Sequence, residues 1–514
     1  MNRQSNSLFW LILTFSIVKF LMHMPAIWME GYGIFRDELY YLACADRLAS
    51  GYVDHPPLSI WILNAWTSIF GDSWQSIRMV PAIFGGFSMA VLLLWVRHLR
   101  GGIIAIIVAA VAFLSAPINL AFGSYYSMNS IDIFFWMLCF YSTTIALERN
   151  KMLNWAIVGL AVGLGMMNKI SIAWFAIGLV VFLIFTPSRK LLLRKEPYIA
   201  GLLALLLFLP FILWNLQHDM AHLTFAKNAS AFKYAGISRG DFLTGIILLE
   251  NPLSVILALP ALFFVLNRRY TLAERSSIVI FLVTLLILLI KGQVKSEYMA
   301  GAFSAVFAAG ALQVETWTKT KITIAYIYVI LIFLSGVFLS PLAAPVLSEE
   351  KYISFEQQLG ISAPNNEGKA EAKLPQFFAD MHGWEEMAEK VSEAYLSMPE
   401  SQRQQTVVWA NNYGEAGAID YFRDKMPLPP VMSPHNNYYL WSLELAERKE
   451  FTSYIILGGA EEDHRKFLQQ VQKVGTFTCA YCMPYENNMG IFIGSDPKPG
   501  IHIRDILIQE QSYN

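Results

Sequence analysis

The chain has 514 residues, of which 55% are hydrophobic and 15% charged, with a formal net charge of -1. Soluble domains carry about 25% charged residues, so an ordinary soluble globule is excluded and a polytopic membrane protein is indicated. The balanced charge excludes an electrostatic nucleic-acid binder, and 4 cysteines exclude a disulfide-rich scaffold.

Apolar runs of spanning length, about 17–25 residues, occur at 8–28, 76–96, 102–118, 128–147, 153–168, 170–187, 197–215, 246–266, 276–291, 297–314 and 321–340. They predict about eleven transmembrane helices. The first run is interrupted by Lys19 and His23 and lacks a small-residue cleavage site, so it reads as a retained span and not a signal peptide. The 153–187 region reads as a hairpin or kinked pair whose turn is marked by Gly163, Gly165, Asn168 and Lys169. Five short loops carry cations: Arg97, His98 and Arg100; Arg149 and Lys151; Arg189, Lys190, Arg194 and Lys195; Arg268, Arg269 and Arg275; Lys319 and Lys321. On this span count all five fall on one side, with Arg3, and the positive-inside rule makes that side cytoplasmic. The 29–75 loop, the 116–128 turn, Lys169, the 216–245 loop, 291–297 and everything after Ser340 then lie on the outer side.

The composition changes after Pro341 and Pro345. Segments 406–410 and 452–457 read as buried strands and 490–495 as a late strand, whereas 414–424 and the Glu-, Gln- and Lys-rich 461–474 read as helices. This alternation predicts a small extracytoplasmic α/β domain over 344–514, behind a membrane domain over 1–343. Cys479 and Cys482 stand as CAYC in it, either a structural disulfide or free thiols.

The outer face gathers unusual charge. The first outer loop opens with Arg36, Asp37 and Glu38 and continues through Tyr40 to the DHPPL elbow at Asp54 and His55. Neighbouring residues cannot share one face of a helix or strand, so Asp37 and Glu38 are expected to meet different partners. One would act as a base while the other pairs with Arg36, Arg78 or a lysine; alternatively both serve a helix N-terminus. Asp132 near the start of a span and Lys169 between two spans are ionisable groups at membrane depth, where charge is retained for use. The 214–225 stretch adds Trp214, Asn215, His218 and His222, the histidines spaced to share a helix face. The 291–301 stretch adds Lys295 and Tyr298. Carboxylates suit acid/base work on an acceptor hydroxyl or amine, and cations suit a phosphate leaving group at head-group level. No third ligand accompanies the histidine pair, so no metal site is expected.

FRDELYYL, GYVDHPPLSIW, FGDSWQSIRMVPA, YYSMNSID, GLGMMNKIS, WNLQHD and NNYGEAGAIDYF with SPHNNYYLW occur in this order along nearly the whole chain. Together they resemble bacterial members of the glycosyltransferase family 39 (PMT_2) group, which is similar to the protein O-mannosyltransferases and the lipid A aminoarabinose transferases. The resemblance implies a GT-C fold in the bacterial cytoplasmic (inner) membrane and a polyprenyl-monophosphate sugar donor. It implies inverting transfer to a lipid, glycan or protein acceptor, with no cofactor or metal required. Asp37, Glu38 and Asp132 are then the expected catalytic acids, and Lys169, Lys295, His55, His218 and Arg78 the donor-phosphate ligands. Tyr40, Tyr126, Trp214, Asn215 and Tyr298 are the expected substrate contacts. One departure stands out: where the aminoarabinose branch usually has a lysine before the double proline, this chain has His55, whose charge depends on pH. The alternatives are a ligase using a lipid-diphosphate oligosaccharide and a transporter or flippase of lipid-linked sugars. No convincing internal repeat favours a transporter.

Overall fold

The computed structural model describes residues 3–29, 31–360 and 372–514, with side chains from Ser7 onward. Arg3's side chain, residue 30 of the expected outer loop and 361–371 of the expected α/β domain lie outside the described residues.

Each of the apolar runs is helical. Among the described residues 6 helical stretches are long and apolar enough to cross a membrane, and 3 further pairs qualify if each bent pair is one span. The bends have a common cause. Pro117, Pro187 and Pro252 each open the second helix of their pair; a proline is tolerated in a first helical turn but cannot continue a preceding helix. Met152–Asn168 is a shorter apolar helix of 17 residues. The turn after it falls at Lys169, not at Gly163 or Gly165, which lie inside the helix. Those glycines serve packing: a Cβ on Gly163 would meet the Ala204 backbone at 2.9 Å, and one on Gly159 the Ala200 carbonyl at 2.6 Å. Helix Glu196–Gln217 approaches through these small residues, as helices without a hydrophobic drive between them commonly do. Ala300–Thr318, rich in alanine and glycine, is buried throughout Ala300–Val314 and forms the centre of the bundle.

The 29–75 loop is largely helical where described, containing Arg36–Ala45 and Leu58–Phe70. The C-terminal region holds β1 (Thr406–Trp409), β2 (Val431–Met432), β3 (Ser453–Leu457), β4 (Leu468–Phe477) and β5 (Met489–Pro497) in the order β2-β1-β3-β5-β4. β1 is parallel to both β2 and β3, while β5 is antiparallel to β3 and β4. The helix expected over 461–474 is a correction. Only Glu461–His464 is helical, and LQQVQKVGTF is the edge strand β4. Its Leu468, Val471 and Phe477 are buried while the intervening glutamines and lysine face water. An edge strand accommodates such polar residues, and pairing with β5 overrides their helical preference. Cys479 and Cys482 form a disulfide. A Cβ on Gly383, which has φ +82°, would strike both sulfurs, so only glycine lets the bridge sit against the start of helix Trp384–Ser397.

Candidate functional site

Helix Arg36–Ala45 begins with its two acids facing opposite ways. Glu38 turns inward and is fully buried. Its carboxylate accepts the Phe35 backbone N–H at 2.9 Å and the Tyr126 backbone N–H at 2.7 Å. It also accepts Arg78 Nε at 2.9 Å and Arg78 Nη2 at 2.8 Å. Arg78, equally buried, gives its Nη2 to the Gly33 carbonyl as well. The pair joins the start of this helix to the 125–127 turn and to the foot of helix Met79–His98. Asp37 turns outward and remains 36% exposed, its Oδ1 accepting the Tyr413 hydroxyl at 2.8 Å. An exposed acid has access to substrate; one enclosed by four donors does not.

Tyr413 arrives from the α/β domain. Asn412 caps helix Tyr413–Phe422, accepting the N–H groups of Gly414 and Glu415. The helix crosses Arg36–Ala45 at contact distance: a Cβ on Gly417 would lie 2.9 Å from the Leu39 Cβ, and one on Gly414 2.5 Å from the Arg36 Cγ. Leu39, Tyr40 and Tyr41 share one buried cluster with Trp384, Ala416, Ile419 and Ile455. The expected boundary at 343/344 therefore separates two stretches of chain that share a core. Arg36 ties the seam, donating to Tyr485 at 2.9 Å and lying 3.3 Å from Asp380. Burial works against its charge, but Asp380, Tyr413, Tyr485 and Asp37 outweigh burial and hold the guanidinium well above its ordinary value. The Tyr413 N–H donates to His435 Nδ1 at 3.3 Å, and His435 Nε2 stands 3.0 Å from the Asn514 carbonyl. With Nδ1 accepting, Nε2 is the donor and the ring is neutral. Burial lowers His435 to about 4.

A second group is built around Lys169. Lys169 donates to Asn129 at 2.6 Å and lies 5.3 Å from the Tyr298 ring centre. Two residues on, Ser171 donates to Asp132 at 2.7 Å. The first turn of helix Met128–Arg149 thus fastens the turn that carries Lys169. Lys295 lies 5.3 Å from the Tyr234 ring centre. Tyr125 connects the two groups. Its ring is 4.7 Å from Phe35, and its hydroxyl is raised by burial, then by the charges of Glu297 and Asp37, with Lys295 opposing. Tyr125 thus feels the charges of both Asp37 and Lys295, and Lys169 lies over the ring of Tyr298, three residues on from Lys295.

The remaining expected residues lie elsewhere or are engaged. His55 is buried, stacked on Tyr41 at 4.8 Å. Tyr40 donates to Asp54 at 2.8 Å, and the buried Tyr126 hydroxyl donates to the Ser59 carbonyl. His218 and His222 do not share a helix face. Helix Glu196–Gln217 ends before His218, and Asp219 and Met220 take positive φ before a new helix starts at Ala221. His218 stacks on Trp214 at 4.2 Å, while His222 Nδ1 is 3.0 Å from the Val53 carbonyl. Asn215 Oδ1 accepts the His222 N–H at 3.1 Å, bridging the break. Trp214 packs with Val53, Val407 and Trp409. Among the described residues no group of three or more His, Cys, Asp or Glu side chains is arranged to hold a metal ion. Sequence reasoning did not single out Tyr413, Tyr125, Asn129 and Ser171; the NNY, YYSMNS and NKIS clusters were the signals for them.

A family model described as dolichyl-phosphate-mannose-protein mannosyltransferase matches residues 54–214, the group that the motifs resemble. The matched stretch includes Asp132 and Lys169 and begins after Asp37. The chain is 23% identical over 287 residues to a lipid A galacturonosyltransferase, RgtD, of Rhizobium johnstonii, covering 54% of this chain and 60% of that protein. It is 25% identical over 173 residues to an undecaprenyl phosphate-alpha-4-amino-4-deoxy-L-arabinose arabinosyl transferase of Pseudomonas savastanoi pv. phaseolicola, covering 32% of this chain and 31% of that one. The alignments thus span less than two thirds of these relatives. The crystal structure of ArnT from Cupriavidus metallidurans bound to undecaprenyl phosphate superposes with a TM-score of 0.62 at 11% identity, over 94% of this chain and 97% of that one. The chain has that fold, the multi-pass GT-C architecture with a small C-terminal sheet domain.

Proposed function

We propose that this chain is an inverting glycosyltransferase. It moves a sugar from a polyprenyl-monophosphate donor to a lipid, glycan or protein acceptor at the outer face of the bacterial cytoplasmic membrane. The observation that carries this reading is the half-exposed acid held by Tyr413, whose charge, together with that of Lys295, bears on Tyr125. Two relatives whose names specify sugar transfer, one of them from undecaprenyl phosphate, support the same reading.

In this mechanism the donor's phosphate lies against Lys169 and Lys295, which stabilise the charge that develops as the lipid phosphate departs. Asp37 accepts the proton of the acceptor, which attacks the anomeric carbon from the side opposite the phosphate, so configuration inverts. Tyr413 aims Asp37, and Asp132 acts through Ser171 to fix the lysine turn. Glu38 and Arg78 form the buried frame; the Glu38 carboxylate is filled by Arg78 and two backbone N–H groups, and Arg78, fully buried, directs Nε and Nη2 to Glu38 and Gly33, so neither is assigned to chemistry or to phosphate. His55, His218, Trp214, Asn215, Tyr40 and Tyr126 are assigned to the walls that set loop positions. The reaction requires no metal. A disulfide in the α/β domain is consistent with an oxidising, extracytoplasmic location.

The test is a proteoliposome assay with polyprenyl-monophosphate and polyprenyl-diphosphate sugars. The proposal expects polyprenyl phosphate and a new glycosidic product from the monophosphate donor alone. Product from the diphosphate donor alone would identify a ligase, and counterflow without product a transporter.

A further inference from the structure

At the end of the bundle remote from the α/β domain, a cavity of about 390 Å³ opens between helix ends. The ends of Met79–His98 and Ala300–Thr318, the starts of Ile103–Leu114 and Ile322–Leu339, and the turn at Arg269–Tyr270 enclose it. Arg100, Arg269, Lys319, Thr316 and Thr318 give it a cationic, hydroxyl-bearing wall, while Ile104 and Leu312 floor it.

The acids nearby are already committed. Glu315 accepts the N–H groups of Gly102 at 2.8 Å and Ala105 at 3.3 Å, closing the start of Ile103–Leu114. Glu274 accepts the Thr271 N–H and pairs with Arg100. Arg100 itself holds φ +68°, a left-handed conformation that costs a non-glycine residue energy and that the ion pair fixes. Among the described residues neither Arg269 nor Lys319 forms an ion pair, so the two cations face the cavity with Glu315, turned to the helix start, as the one acid of its lining. Trp317 is 51% exposed and meets Phe263 edge-on at 5.3 Å. Exposed tryptophan beside a helix end marks the lipid head-group level.

We propose that this cavity binds the phosphodiester head group of an anionic phospholipid from the leaflet opposite the α/β domain. The two cations neutralise the phosphate and the apolar floor takes the acylated glycerol backbone; the Thr316 and Thr318 hydroxyls donate to the Leu312 and Val314 carbonyls and only border the site. Topology alone explains exposed cations on such loops. It does not explain a concave site in which every neighbouring carboxylate is spent on a helix start or an arginine.

The experiment titrates phosphatidylglycerol onto the detergent-purified full chain and reads bound lipid by native mass spectrometry. Three proteins are compared: wild type, Arg269→Gln/Lys319→Gln, and Arg189→Gln/Lys190→Gln, which removes two exposed cations from another loop on the same face. All four side chains are exposed, so folding is preserved in each. The proposal expects the cavity variant to bind phosphatidylglycerol about thirtyfold more weakly, from two lost head-group contacts, and the control to match wild type. Equal weakening in both variants, or none in either, overturns it. Displacement of the lipid by millimolar inorganic phosphate also overturns it, because the site would then take a free anion.

Discussion

Replacing Arg78 with glutamine separates the two roles open to that residue. The wild-type guanidinium makes three contacts with Glu38, at 2.9, 3.2 and 2.8 Å, and one with the Gly33 carbonyl at 2.8 Å. Both side chains are fully buried. Removing the cation leaves Glu38 enclosed with only the Phe35 and Tyr126 N–H groups. Breaking one partner of a buried pair costs about 3–5 kcal/mol, and the two surviving backbone donors place Arg78→Gln near the lower end, about 3 kcal/mol. At about 2–4 °C per kcal/mol for a large domain, the thermal midpoint in detergent falls by roughly 6–12 °C. Glu38→Gln is destabilising too, because its amide presents a donor to Arg78 or to a backbone N–H. A double-mutant cycle over Glu38→Gln and Arg78→Gln is expected to give a coupling of about 2 kcal/mol or more. An unchanged midpoint in Arg78→Gln, with donor KM raised and no coupling to Glu38, would refute this reasoning and make Arg78 a phosphate ligand.

Three further outcomes are expected. Tyr413→Phe removes a hydrogen bond to a half-exposed carboxylate, worth about 1.5 kcal/mol; kcat for transfer is expected to fall about tenfold, with the melting midpoint lowered by no more than about 3–6 °C. Gly417→Val places a Cβ 2.9 Å from the Leu39 Cβ, and the forced separation is expected to cost about 1–3 kcal/mol, read as a lower midpoint and reduced transfer. Burial raises Glu415 to about 7, against hydrogen bonds from Asn411 and Asn412. Between its ordinary value of 4.5 and 7 the unfolded chain holds fewer protons there, so this group's contribution to stability falls as pH rises. Glu415→Gln is expected to gain roughly 2 kcal/mol on wild type between pH 5 and pH 8.

The membrane architecture was legible because length and apolarity dictate spans almost directly, and each expected run is helical. The bends were less so, although Pro117, Pro187 and Pro252 stand in plain sight; a proline in a long apolar run is compatible with either a kink or a new helix. Adjacency correctly implied that Asp37 and Glu38 would part, but nothing local states which one faces inward. That depends on Arg78, 40 residues away. Tyr413 lies 376 residues from Asp37, beyond any local pattern. The histidine pair misled because the break between His218 and His222 is made by Asp219 and Met220 in left-handed conformations, without a glycine or proline to announce it. LQQVQKVGTF misled because partner β5, not composition, makes it a strand.

The most direct measurement is single-turnover transfer by purified Asp37→Asn with a polyprenyl-monophosphate sugar and its acceptor. Asparagine keeps the shape and an acceptor oxygen for Tyr413 while removing the base. Transfer is expected to drop by about 10²–10⁴-fold, with donor binding and thermal midpoint as in wild type. Turnover within a few-fold of wild type would contradict the assignment of acceptor activation to this carboxylate.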